Sequence, residues 1–251
     1  MMSLTKVSLI DVVKKQYIYK LKAYSQVFMS LIFLQLLAVL FSMNGVGSMG
    51  GSTGGSVELQ VKYFSADFVA AFTMLWGFIT AILITTKAYR NDDFVFVTNR
   101  VSSNLSNAVF LLTASVIGGI TAMLSSYLLK VIVYYFISDL SIKSTPILDA
   151  PIELLLGIFS TILYVFLFCA LGYLVGTLVQ ISKAFTVLLP AAFFGTLILE
   201  GLSGKAGTVA NVFDFFFTES SLVLFIVKII VSAGLLFSGA FVLSNRLEVR
   251  G

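Results

Sequence analysis

The 251-residue chain has no histidine, one cysteine and one tryptophan, and only 11% of its residues are charged. The missing histidine removes the commonest general base and the commonest metal ligand together. Cys169 lies in an apolar run with no second thiol to pair with, so it is silent on redox compartment. Soluble domains average about 25% charged residues. Here 59% of residues are hydrophobic, mean hydropathy is +1.03, and 24 Phe and 10 Tyr give a bulky surface suited to lipid. The expectation is an all-α integral membrane protein, with no separate soluble domain of ordinary size left over.

Six apolar runs carry the fold: Val27–Met43, Phe68–Thr86, Ala108–Leu129, Leu154–Val179, Ala184–Leu199 and Leu222–Leu243. A span needs roughly 17 to 25 residues. The fourth run is long enough to tilt, and the fifth is short and contains Pro190, where a kink is expected. Only Gln180 to Lys183 separate these two, which predicts a tight helical hairpin. Residues 26–251 therefore form one six-span domain.

Residues 1–25 read as an amphipathic interfacial helix. Leu9, Ile10, Val13, Tyr17, Leu21 and Tyr24 share one arc, with Asp11, Lys15 and Lys22 opposite. Lys20 intrudes on the apolar arc. Five lysines (Lys6, Lys14, Lys15, Lys20, Lys22) against one acid suit an anionic leaflet. A cleaved signal peptide fits less well, because the following run is long and no A-x-A-like site ends it.

Two glycine-rich stretches imitate phosphate cradles. GVGSMGGSTGGS, Gly45 to Ser56, precedes the alternating VELQVKYF and not a helix opening on Lys-Ser or Lys-Thr, so a flexible loop is expected. GLSGKAGT, Gly201 to Thr208, has two residues between glycines where a Walker A motif needs four.

Charge sets the expected orientation. With the N-terminus cytoplasmic, the inside segments carry Lys6, Lys14, Lys15, Lys20, Lys22, Lys87, Arg90, Arg100, Lys183, Arg246 and Arg250, against Lys62, Lys143 and Lys205 outside. Six spans return the C-terminus to the same side, so both termini are expected in the cytoplasm.

On that side lies Lys87 to Asn107, KAYRNDDFVFVTNRVSSNLSN, the longest charged connector. The acids Asp92 and Asp93 precede a compact apolar run, Phe94, Val95, Phe96 and Val97, and Arg100 follows. A bare connector needs only polar, turn-forming residues. Exposing four apolar residues costs of order 25 cal/mol per Å². The segment is therefore either a helix lying on lipid or one that presses into a groove on a soluble partner.

On the opposite side, Glu200 to Ser221 contains TVANVFDFFFTES, too short to span. It reads as a re-entrant helical pair or as a surface loop with a hydrophobic flap. Lys130 can snorkel from the end of the third span. Lys228 lies about 10 Å into the sixth, facing either a wet interior or, by snorkelling, the headgroups. Gly172 and Gly176 form a small-xxx-small pair that permits close helix approach.

No histidine, no paired carboxylate within the spans and no H-E-x-x-H or G-x-S-x-G element is present, so catalysis by this chain is not expected. Midplane carboxylates of ion-coupled carriers are absent as well. The remaining pattern combines the basic N-terminal helix, six spans, the charged loop YRNDDFVFVTNRVSS (Tyr89 to Ser103) and the semi-hydrophobic segment before the last span. It resembles the ABC-2-type permease, the membrane subunit of ATP-binding-cassette exporters.

That resemblance implies a bacterial plasma-membrane protein and a second permease subunit, identical or related. It also implies cytosolic ATPase subunits that hold the ATP and Mg, and no cofactor, metal or nucleic acid is expected on this chain itself. Asp92, Asp93, Phe94, Val95, Phe96 and Arg100 would form the ATPase-coupling loop. Lys228, Glu200 and Asp214 are the candidate substrate-path residues, for a peptide, drug or lipid-like cargo. A non-transporting immunity or sensor-associated membrane protein and a secondary carrier share the composition and remain open.

Overall fold

A computed structural model describes residues 8–43, 47–52, 58–63, 65, 67–89, 99–136, 151–203 and 207–244. The helices are α1 (Leu9–Ala23), α2 (Ser25–Ser42), α3 (Asp67–Ile84), α4 (Arg100–Phe136), α5 (Pro151–Ile181), α6 (Phe185–Ser203), α7 (Thr208–Phe217) and α8 (Leu222–Ser244). Six of them, α2 to α6 and α8, are long and apolar enough to cross a membrane. The chain is an all-α, multi-pass membrane protein, as composition required. Among the described residues, one two-stranded hairpin interrupts the helices.

That hairpin corrects part of the sequence reading. Within the glycine-rich stretch expected to be a flexible loop, β1 (Gly47–Ser52) pairs antiparallel with β2 (Glu58–Tyr63), Gly47 opposite Tyr63 and Ser52 opposite Glu58. The alternation of ELQVKY has the period of a strand, and antiparallel pairing satisfies backbone groups that a loop leaves to water.

Helix α1 begins at Ser8, whose hydroxyl accepts the Asp11 amide at 3.2 Å as an N-cap. It stops at Tyr24, where φ −101° and ψ 28° break the ladder before α2. Only the later part of the arc read as apolar docks: Tyr17, Leu21 and Tyr24 pack with the main core, and Tyr24 meets Phe110 of α4 edge-on at 6.0 Å, whereas Leu9 and Ile10 are exposed. Lys14, Lys15 and Lys22 stay exposed on the other side.

The third span differs most from its predicted bounds. Ala108–Leu129 was the apolar run, yet α4 has 37 residues and starts at Arg100. At 1.5 Å per residue it is about 55 Å long, well beyond a hydrocarbon core of about 30 Å. Its first two turns, RVSSNLSN, are too polar to register as a span. Ser102, Asn104, Ser106 and Asn107 are nonetheless buried there, because other helices cover them.

Helix α5 is the hub, packed against α3, α4 and α8. A Cβ on Gly172 would run into the backbone carbonyl of Phe78, and one on Gly119 of α4 would stand 2.9 Å from the Ile162 amide nitrogen. These two positions let three helices approach closely enough for Val165, Cys169, Ala170, Phe110 and Leu111 to fill one core. Helix α6 follows a turn at Ser182–Ala184 and runs on through Pro190; none of its residues is buried.

Candidate functional site

Two polar constellations stand at opposite ends of the spans. At the end carrying α1, Lys20 is 1% exposed despite its charge. Its ammonium donates to Ser106 Oγ at 2.8 Å and to Asn107 Oδ1 at 2.5 Å. Burying a charge is costly unless it is hydrogen bonded. The polar opening of α4 meets that need, which explains both the lysine on an apolar arc and the buried serines and asparagines facing it.

From Asn107 the bonding continues. Asn107 Nδ2 donates to the Tyr173 hydroxyl of α5 at 3.2 Å, and that hydroxyl donates to Asn104 Oδ1 at 2.9 Å. Asn104 Nδ2 donates to Ser244 Oγ of α8 at 2.6 Å, and Arg100 Nη1 donates to the Ser244 carbonyl at 3.2 Å. Four helices are thus joined at one end through side chains that are mostly buried. Tyr17 adds a hydroxyl contact of 2.9 Å to Thr113. One turn from Lys20, Gln16 is fully buried with no partner for either amide atom among the described residues. Such a group costs about 1–3 kcal/mol, so the bonds of Lys20 and Tyr17 hold α1 in place against that cost.

At the other end, α7 is tied by its two ends. The Glu200 carboxylate, from the last turn of α6, accepts the amides of Val209 at 2.8 Å and Ala210 at 3.4 Å, capping α7 where the helix dipole favours an anion. Beyond the C-terminus of α7, Glu219 pairs with Lys228. Lys228 also donates to the Phe215 carbonyl at 3.3 Å and lies 4.2 Å from the centroid of the Phe215 ring. The hydrogen bond from Lys228 holds the Glu219 carboxyl below its ordinary pKa. Tyr164 of α5 donates to the Phe216 carbonyl at 2.7 Å and stacks on Phe217 at 4.8 Å. No residue of α7 is buried; Val212, Phe213, Phe215 and Phe217 are all exposed.

The candidate residues therefore separate. Asp92, Asp93, Phe94, Val95 and Phe96 lie outside the described residues. Arg100 is described, and it bonds to the end of α8. Lys228 and Glu200 serve opposite ends of a ten-residue helix, roughly 15 Å apart by helix rise, and Asp214 between them is exposed. They do not converge on one pocket.

The Lys20 to Ser244 chain is the constellation that the sequence left unassembled. Its one signal was Lys20 on the wrong face of α1, matched by Asn104 and Asn107 three residues apart on one face of α4. The chain matches none of the protein-family models, curated proteins or solved structures with which it was compared.

Proposed function

We propose that this chain is the permease subunit of an ATP-binding-cassette exporter, forming a substrate pathway with a second permease and driven by separate ATPase subunits that bind ATP and Mg. The observation that carries the reading is the joining of α1, α4, α5 and α8 at the end where the segment 90–98 enters α4. Movement delivered to the start of α4 would reach α5 and α8 through these side-chain bonds.

Both termini lie in the cytoplasm in this reading, as the lysine and arginine distribution favours. Helix α6, with no buried residue, is the surface a second permease would cover. Cargo would leave past α7, where exposed phenylalanines favour an amphipathic peptide, drug or lipid-like molecule.

The test is the pair Phe94→Ala/Phe96→Ala. Buried aromatic anchors dominate interfaces, so losing them should weaken ATPase association by about 2 kcal/mol or more, roughly 30-fold. Co-purification with a tagged ABC-type ATPase, alongside ATPase activity in nanodiscs, measures it. Full binding and full coupling in the double variant would leave the run as a lipid-surface helix and remove the support for a permease.

A further inference from the structure

We propose that Lys20 sets the donor direction of the hydrogen-bond chain through Asn107, Tyr173 and Asn104, and so couples α1 to the C-terminal end of α8. The argument begins with what each group is able to do. An ammonium has only donors, so Asn107 must turn its oxygen toward Lys20. That fixes the Asn107 amide nitrogen as the donor to the Tyr173 oxygen. The single Tyr173 hydrogen then goes to Asn104 Oδ1, which turns the Asn104 nitrogen toward Ser244 Oγ. Ser244 in turn donates to the Phe241 carbonyl at 2.9 Å. Every link runs from α1 toward α8.

The opposite direction is closed at its first step, because an ammonium accepts nothing. Asn107, Asn104 and Tyr173 are 6%, 8% and 3% exposed, so water competes little for these groups. In such surroundings successive bonds polarise one another, and each is stronger for being aligned with the rest. A neutral apolar side chain at position 20 would free Asn107 to present either end of its amide, and the chain would lose its fixed sense.

Docking of α1 and the hydrogen bonding of Ser244 are therefore one event, read through Tyr173. What that event transmits rests on the permease reading above; whether the coupling exists does not, and the test uses no ATPase. A failure of either is seen without the other.

The test is a double-mutant cycle on the full chain in bicelles, with the unfolding constant followed by denaturing-detergent titration. Lys20→Met and Ser244→Ala are made singly and together, first with Tyr173 present and then with Tyr173→Phe. With Tyr173 present, the double variant should be more stable than the two single losses multiply to, by about fivefold. In the Tyr173→Phe background the two losses should simply multiply. Should Lys20→Met fail to fold, Lys20→Gln replaces it: its amide offers both a donor and an acceptor and so no longer fixes the orientation of Asn107, and a smaller non-additivity of the same sign is expected. The proposal is overturned if the losses multiply with Tyr173 present, or if the coupling survives loss of the hydroxyl.

Discussion

Helices α5 and α6 are joined by three residues and each is long and apolar enough to span a bilayer, yet they are used in opposite ways. In α5, Cys169, Gly172, Tyr173 and Gly176 follow the i, i+3, i+4, i+7 spacing of one face, and all four are buried. In α6, Ala192, Gly195 and Thr196 repeat the first steps of the same spacing, and among the described residues none packs closely enough to bury them. A Cβ built on Gly195 has no atom within 4 Å, whereas one on Gly172 meets the α3 backbone. Apolarity decides that a helix enters lipid. Whether it meets another helix is decided by small residues together with a surface to receive them.

The strongest way to break this contrast is the same substitution in both helices. Gly172→Ala places a methyl group against the Phe78 carbonyl, and α3 must move to admit it. Overpacking of this kind costs about 1–3 kcal/mol, set against a helix-propensity gain of up to about 1 kcal/mol. A net loss of about 1–2 kcal/mol is expected, measured by denaturing-detergent titration, with the shift of α3 visible as altered cross-linking between cysteines placed on α3 and α5. Unchanged stability would mean that the α3–α5 seam is looser than the close approach at Gly172 implies.

Much of α5 was legible in its sequence, and little of α6 was. Gly172 and Gly176 announced a close approach, because two glycines four residues apart leave one strip of the helix bare enough for a neighbouring backbone. The six spans followed from run length alone. The polar start of α4 was not legible as helix, since its asparagines and serines match a connector until Lys20, Tyr173 and Ser244 are brought to them from far along the chain. The partners of Lys228 and Glu200 were hidden for the same reason. Nothing in a one-dimensional pattern gave Lys228 to Glu219 and Glu200 to the amides of α7.

A second comparison concerns how each helix is fastened at the end that carries α7. Helix α5 contributes Tyr164, backed by its own packing against Phe225 at 5.0 Å. Helix α6 contributes Glu200, whose bonds to Val209 and Ala210 join it to α7. Glu200→Ala removes a cap of a kind worth about 1 kcal/mol. The loss should be confined to α7 and the last turn of α6, so hydrogen exchange at residues 208–217 should quicken while α5 is unaffected. Slower or unchanged exchange would show that the tie at Tyr164 and Lys228 alone holds α7.

The smallest expected effect belongs to Gly195→Ala, and it sharpens the contrast most. No atom stands where the methyl group would go, so the overpacking cost that opposes Gly172→Ala is absent. What remains is the propensity gain, at most about 1 kcal/mol in water and smaller for a helix whose backbone bonds the bilayer already enforces. The monomer should therefore be neutral to slightly stabilised by the change. If a second copy or a related permease covers α6, a larger side chain should act only on assembly: Gly195→Leu should leave monomer unfolding unchanged and reduce the dimer fraction seen by cross-linking or by subunit counting in nanodiscs. A monomer destabilised by Gly195→Ala as much as by Gly172→Ala would show that α6 packs within its own chain. A dimer indifferent to Gly195→Leu would leave α6 as a helix facing lipid, with the second subunit seated elsewhere.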